Sequence, residues 1–209
     1  MLIFNGSPRG EESNSYVMSN WFEYNKLYSL KYIKKHPNYL QEIKNHEKIV
    51  FIYPLYVDAM PGLVKEFLEL IEDNVDLVKD KEFLFIIHCG FPEAVHLRTV
   101  EKYHTMLKDR FNLKRLDTIL SPGSEGVRLM PDSMNKKRRL RLVSLVDEFR
   151  SGKELSKKTL NKLAGAEKLS TFKKVLYKVG NILGLTNMYW NSQLKKNNAY
   201  KKRYDRPYE

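Results

Sequence analysis

The run Asn5-Gly6-Ser7-Pro8-Arg9-Gly10, followed by Ser13-Asn14-Ser15, crowds hydroxyls, an amide and a guanidinium into eleven residues. A phosphate needs donors of this kind, and a helix that starts directly afterwards adds free N–H groups and a favourable dipole. Ser7, Ser13 and Ser15 offer hydroxyls, Asn14 an amide and Arg9 a positive charge. The run lacks the Gly-Lys-Ser/Thr of a P-loop and the spacing of Gly-x-Gly-x-x-Gly. Read from its residues alone, it is either an anion cradle or a Ser/Gly-rich turn that caps a helix.

Other chemistries fall away on spacing. His88-Cys89 after an apolar run has the form of a phosphatase nucleophile, but the position six after the cysteine is Val95 and the first arginine is Arg98. A lone Cys89 is more simply a small buried residue, and it rules out an internal disulfide framework or an iron–sulfur cluster. Of the histidines His36, His46, His88, His96 and His104, only the last two share a candidate helix, two turns apart and too distant to share a metal easily. No Gly-x-Ser-x-Gly elbow is present.

The elements that must position these residues alternate. Apolar runs at Leu2-Phe4, Ile49-Tyr53, Phe83-His88 and Leu116-Leu120, with a weaker one through Lys26-Tyr32, read as strands. Ile49-Tyr53 and Phe83-His88, the third and fourth along the chain, are continuous and rich in β-branched and aromatic residues, as strands covered on both faces must be. Helices are expected over Ser15-Tyr24, Pro37-Asn45, Gly62-Ile71, Leu97-Phe111 and Ser133-Arg150. Within Gly62-Ile71 the expected buried face is Leu63, Phe67, Leu70 and Ile71. Strands alternating with helices predict an α/β fold: a parallel sheet with helices on both faces. The loops after the first, third and fourth strands then share one edge of that sheet.

After Ser151-Gly152 the pattern becomes helical only, with an apolar stripe at Leu169, Phe172, Leu176, Val179 and Leu183 and lysines elsewhere. The domain division is therefore 1–150 and a basic helical extension, 151–209. Charge follows a similar division. Residues 1–132 carry 17 Lys/Arg and 19 Asp/Glu, whereas residues 133–209 carry 20 and 6. The net charge of +12 thus sits in the second part. Such a region serves nucleic acid, an anionic membrane, an acidic partner or an anionic substrate, or is only a soluble lysine-rich surface. Lys136-Lys137-Arg138-Arg139 reads as the charged outer face of an amphipathic helix, and Tyr200, Tyr204 and Tyr208 interleave with Lys201-Lys202-Arg203. No stretch is long and apolar enough for a membrane span, and Met1-Leu2-Ile3-Phe4 is too short for a signal peptide, so a cytoplasmic protein is expected.

Asn-Gly-Ser-Pro-Arg-Gly with Ser-Asn-Ser shortly after resembles the phosphate loop of the NADPH-dependent FMN reductase family of flavodoxin-like proteins. Pro54-Leu55-Tyr56-Val57-Asp58-Ala59-Met60-Pro61-Gly62-Leu63-Val64-Lys65 resembles that family's loop beside the isoalloxazine ring, and Cys89-Gly90-Phe91-Pro92-Glu93 is a looser match to the loop at the flavin's other edge. The resemblance spans residues 1–120. It implies a flavodoxin-like three-layer fold with strand order 2-1-3-4-5 and FMN at the carboxyl ends of the strands. Ser7, Arg9, Asn14 and Ser15, with Ser13 less firmly, would meet the phosphate. Pro54, Leu55, Tyr56 and Val57 would line the ring, largely through backbone groups, and Cys89, Gly90 and Phe91 would approach its far side. Asp58 has no assigned role, and Glu93 either bonds to the flavin or caps the next helix. The implied activity is hydride transfer from NADPH or NADH to FMN, then electron transfer to a flavin, quinone, nitro or azo compound or metal ion. The implied assembly is a homodimer. The extension lies outside the family's minimal fold, and its aromatic and basic composition leads to the expectation that it packs on the domain or on a partner subunit, with nucleic acid not expected. A flavodoxin-type electron carrier and a basic anion-binding protein on the same scaffold are the alternatives.

Overall fold

The computed structural model describes residues 1–35, 38–182, 184 and 187–206; His36, Pro37, Leu183 and Tyr208 lie outside that set. Five strands, β1 (Leu2–Asn5), β2 (Lys26–Ser29), β3 (Lys48–Pro54), β4 (Glu82–His88) and β5 (Arg115–Ser121), form one sheet in the order β2-β1-β3-β4-β5. Every neighbouring pair is parallel, in the register Phe4↔Tyr28, Phe4↔Phe51, Phe51↔Phe85 and Phe85↔Thr118. This is the expected order.

Alternation along the strands divides the side chains sharply. Phe4, Phe51, Tyr53, Phe83 and Phe85 point to one face and join Phe67 and Tyr39 in a continuous aromatic cluster. Ile3, Val50, Ile52, Leu84, Ile86 and Ile119 point to the other. The aromatic face is covered by α2 (Tyr39–Lys44), α3 (Gly62–Glu72) and α4 (Val95–Arg110). The aliphatic face is covered by α1 (Asn14–Ser19) and α5 (Asp132–Arg150), through Met18, Leu142, Leu145, Val146 and Phe149. Burial on both faces explains why β3 and β4 carry no alternation of polar and apolar residues.

Several elements differ from the sequence expectation. Strand β2 stops at Ser29, because Leu30–Lys35 winds into 3₁₀ turns that bury Leu30. Helix α1 begins at Asn14 and ends at Ser19, with Ser13 as its N-cap: the Ser13 hydroxyl accepts from the Tyr16 N–H at 3.1 Å. On α3, Val64, Phe67, Leu68 and Ile71 are buried while Leu70 faces solvent. The rotation brings Val64 against Gly6, where a β-carbon would lie 2.5 Å from the Val64 Cγ2.

The first compact unit runs from Met1 to Lys168, beyond the division expected at 150. It takes in α6 (Lys157–Ala164), which packs against β5 and α5 with Leu163 and Ala164 buried. An edge strand is thereby shielded from pairing with another chain. The second unit, Leu169–Glu209, holds α7 (Thr171–Ile182) and α8 (Asn187–Lys196). Among the described residues, no helix is long and apolar enough to cross a membrane.

Candidate functional site

The carboxyl ends of β1, β3 and β4 open onto a pocket of about 150 Å³, lined by Ser7, Arg9, Ser13, Asn14, Pro54, Leu55, Tyr56, His88, Cys89, Gly90 and Glu125. In open α/β sheets ligands bind at this edge, where the strand order reverses. A larger groove of about 740 Å³ runs along β5, but its Glu82 and Asp117 are already paired with Lys114 and Arg115.

The loop after β1 is held from beneath. Its Gly6 N–H donates to the Ile52 carbonyl at 2.8 Å, which seats it against β3. Asn5 is fully buried; its amide donates to the Gly10 carbonyl at 2.9 Å, and its carbonyl accepts from the Ser7 N–H at 3.0 Å. Gly10 turns the chain at φ +58°, a region other residues adopt only with strain. The Ser13 hydroxyl donates to the Gly10 carbonyl at 2.6 Å and caps α1.

These bonds sort the candidate donors. The Ser7 oxygen accepts from the Arg9 N–H at 3.3 Å and keeps its own proton for a ligand. Arg9 makes no ion pair among the described residues, unlike Arg98, Arg115 or Arg150. The N–H groups of Asn14 and Ser15 have no acceptor within α1, as the first donors of a helix never do. The other side chains are committed. Asn14 donates to the Glu125 carbonyl at 3.0 Å and accepts from the Arg128 N–H at 2.9 Å, tying α1 to the β5–α5 connection. The Ser15 hydroxyl is fully buried and lies 2.8 Å from His88 Nε2, away from the pocket.

His88 is the hub of this edge. Its Nδ1 lies 2.9 Å from the Ser124 hydroxyl, which in turn donates to the Cys89 carbonyl at 3.1 Å. His88 therefore donates at Nδ1 and accepts from Ser15 at Nε2. Burial, helped by the positive charge of Arg138, lowers its pKa to about 3 and keeps the ring neutral. Burial raises the Cys89 thiol, whose sulfur donates to the Phe91 carbonyl at 3.4 Å, so it stays protonated. Arg138 leaves the charged outer face expected of α5. Its guanidinium reaches the Ser121 hydroxyl at 2.6 Å and the Pro122 and Gly123 carbonyls at 3.0 and 2.8 Å, fixing the turn that carries Ser124 and Glu125.

The loops after β3 and β4 form the mouth. Leu55 N–H donates to the His88 carbonyl at 2.7 Å, and Tyr56 and Ala59 exchange both backbone bonds at 2.9 Å. Their backbone donors are thus spent in the scaffold. Val57 and Asp58 make the two-residue turn between them, at φ 47° and 56°. Val57 is 99% exposed and lines no part of the enclosed pocket. Phe91 is also exposed and stacks on His96, with centroids 4.5 Å apart. The His96 ring lies between the carboxylates of Asp58, at 3.8 Å, and Glu93, at 3.6 Å. His104 lies elsewhere, stacked on Phe85 in the aromatic core and bonded to Tyr53 and Thr118.

The donor set fits a phosphate: one unpaired guanidinium, one hydroxyl proton and two N–H groups around a tight turn. The enclosed volume falls below the ~300–1,000 Å³ that buries a whole drug-sized ligand. Sequence reading missed His88 and Glu125 as pocket residues. His88 adjoins Cys89 at the end of β4, which is the signal that could have found it, whereas nothing local marks Glu125, which arrives with the turn after β5.

No protein-family model matches this chain, and no curated protein matches its sequence. Its fold is similar to solved structures. One is an NADH:FMN oxidoreductase in its apo form, 14% identical, with a TM-score of 0.54 over 76% of this chain and 91% of that one. Another is an NADPH-quinone reductase from P. pentosaceus, 14% identical, with a TM-score of 0.52 over 71% and 95%. A third is the general stress protein 14 of Treponema denticola in complex with FMN, 16% identical, with a TM-score of 0.50 over 68% and 96%. At these identities the likeness establishes the fold.

Proposed function

We propose that this chain binds FMN and is an NAD(P)H-dependent oxidoreductase that delivers two electrons to a small acceptor. One observation carries the reading: the unpaired Arg9 and the Ser7 hydroxyl share a pocket with the ends of β3 and β4, at the point where the strand order reverses. Three solved structures similar in fold, one in complex with FMN, one of an NADPH-quinone reductase and one of an NADH:FMN oxidoreductase, support the same reading.

In this reading Arg9, Ser7 and the N–H groups of Asn14 and Ser15 hold the phosphate. When bound, FMN supplies the redox chemistry, taking hydride from a reduced nicotinamide and passing two electrons on. The chain's own part is placement. Pro54 and Leu55 wall one side, and Gly90 lets the backbone come close on the other. Tyr56 and Phe91, exposed at the mouth, select what stacks there. Neither His88 nor Cys89 serves as an acid or base from the pocket floor, because His88 is neutral with both nitrogens bonded and Cys89 is held as a thiol. Quinones, nitro and azo compounds, free flavins and metal ions remain the acceptor classes, and a homodimer is part of the same proposal.

Purified protein mixed with FMN and passed through gel filtration tests this directly. A flavin spectrum should travel with the protein, disappear in Arg9→Ala with Ser7→Ala, and bleach on adding NADPH or NADH without oxygen. A colourless protein that ignores FMN overturns the proposal. A protein that holds FMN yet barely oxidises either nicotinamide is an electron carrier instead.

A further inference from the structure

Within the second unit, helix α7 leaves an apolar stripe uncovered. Phe172, Val175, Leu176, Val179 and Ile182 lie within about 120° of arc at 100° per residue, and each is between 45% and 83% exposed. Lys173, Lys174 and Lys178 occupy the remaining arc, and the helix contains no acid. The same sign continues beyond it: residues 169–206 carry nine Lys or Arg and a single acid, Asp205. In the tail, Arg203 lies over the rings of Tyr200 and Tyr204 at 4.1 and 4.7 Å, and Lys195 over Tyr200 at 5.1 Å.

We propose that α7, with the basic residues of α8 and of positions 197–206, holds this protein against the surface of an anionic lipid bilayer, with the α7 stripe among the upper acyl chains and the lysines at the headgroups. Charge complementarity selects this occupant. Pairing with the same helices of a second copy would set the stripe between the same lysines, with no carboxylate on α7 or α8 to meet them. A nucleic acid would meet the lysines and leave the stripe in water. An anionic bilayer satisfies both at once, which is the pattern of an interfacial helix. At 12 residues α7 is about 18 Å long, well short of the ~30 Å hydrocarbon core, so it lies along the surface. The inference does not rest on the flavin reading, although a reductase kept at a bilayer would meet lipid-soluble acceptors there.

The test is flotation of the full-length protein with vesicles of phosphatidylcholine alone and of phosphatidylcholine mixed with phosphatidylglycerol. The protein should float with the mixed vesicles only and be released by salt. Each cation near such a surface strengthens binding about fivefold. Changing Lys173, Lys174 and Lys178 to glutamine should therefore weaken it about a hundredfold. Val179→Asp should weaken it about tenfold or more, because it breaks the stripe, while leaving the melting temperature in place. Absence from mixed vesicles, or equal binding to neutral ones, overturns the proposal. So does binding that survives Val179→Asp along with unchanged retention on heparin, which marks a polyanion site. A fall in oligomeric mass in Val179→Asp overturns it too, since the stripe is then covered by a second copy.

Discussion

Two fully enclosed histidines should make this fold acid-sensitive well above the carboxylate range. His88 bridges Ser15 and Ser124 at the candidate site, and His104 lies between Tyr53, Thr118 and the Phe85 ring. Burial lowers both to a pKa of about 3, against about 6.5 for an unfolded histidine. The folded value lies below the unfolded one. The stability is therefore complete above about pH 6.5, and is lost as the unfolded chain gains protons that the fold refuses. Between pH 7.5 and 5.0 each histidine should remove about 2 kcal/mol, the pair about 4. Because pH 5.0 stays far above the folded values, those figures depend almost entirely on the unfolded one. Urea unfolding monitored by circular dichroism at the two pH values measures the loss. His88→Gln keeps a donor and an acceptor for its partners and should halve the pH dependence, as should His104→Asn. Unfolding free energies that stay flat down to pH 5.0, or a His88→Gln variant with the wild-type slope, would refute the argument.

Arg9→Ala should weaken FMN binding by roughly 1.5–3 kcal/mol, the worth of a charge-assisted bond, with little change in melting temperature; flavin fluorescence titration reads it. Gly6→Ala should cost about 1–3 kcal/mol in urea unfolding by overpacking, because the new methyl meets the Val64 Cγ2 at 2.5 Å and the Tyr53 Cβ at 2.9 Å. Val57→Asn should raise stability by about 1 kcal/mol, since a β-branched residue at φ 47° is strained and its exposed side chain gives up no packing. Thermal melts would show it, and an unchanged or lower midpoint would count against strain in that turn.

The sequence by itself determined the layers and the edge. Continuous apolar runs in β3 and β4 demanded cover on both faces, and parallel strands place the loops after β1, β3 and β4 on one side whatever their lengths. That was enough to bring Ser7, Arg9, Leu55 and Gly90 together. The type of α3 was also legible, but its phase was not. Leu63, Val64, Leu68 and Leu70 are alike in hydrophobicity, and the close approach of Val64 to Gly6 decided which of them turned inward. The tertiary structure decided which polar groups remain open to a ligand. A hydroxyl next to a glycine turn is a phosphate donor only if nothing else claims its proton. The partners of Ser15 and Asn14 come from His88, Glu125 and Arg128, more than seventy residues away. Arg138 likewise reads as one more surface cation until the end of β5 arrives beside it. Periodicity fixes a side chain's face from its neighbours along the chain, whereas a hydrogen bond is fixed by a partner that only the folded sheet brings near.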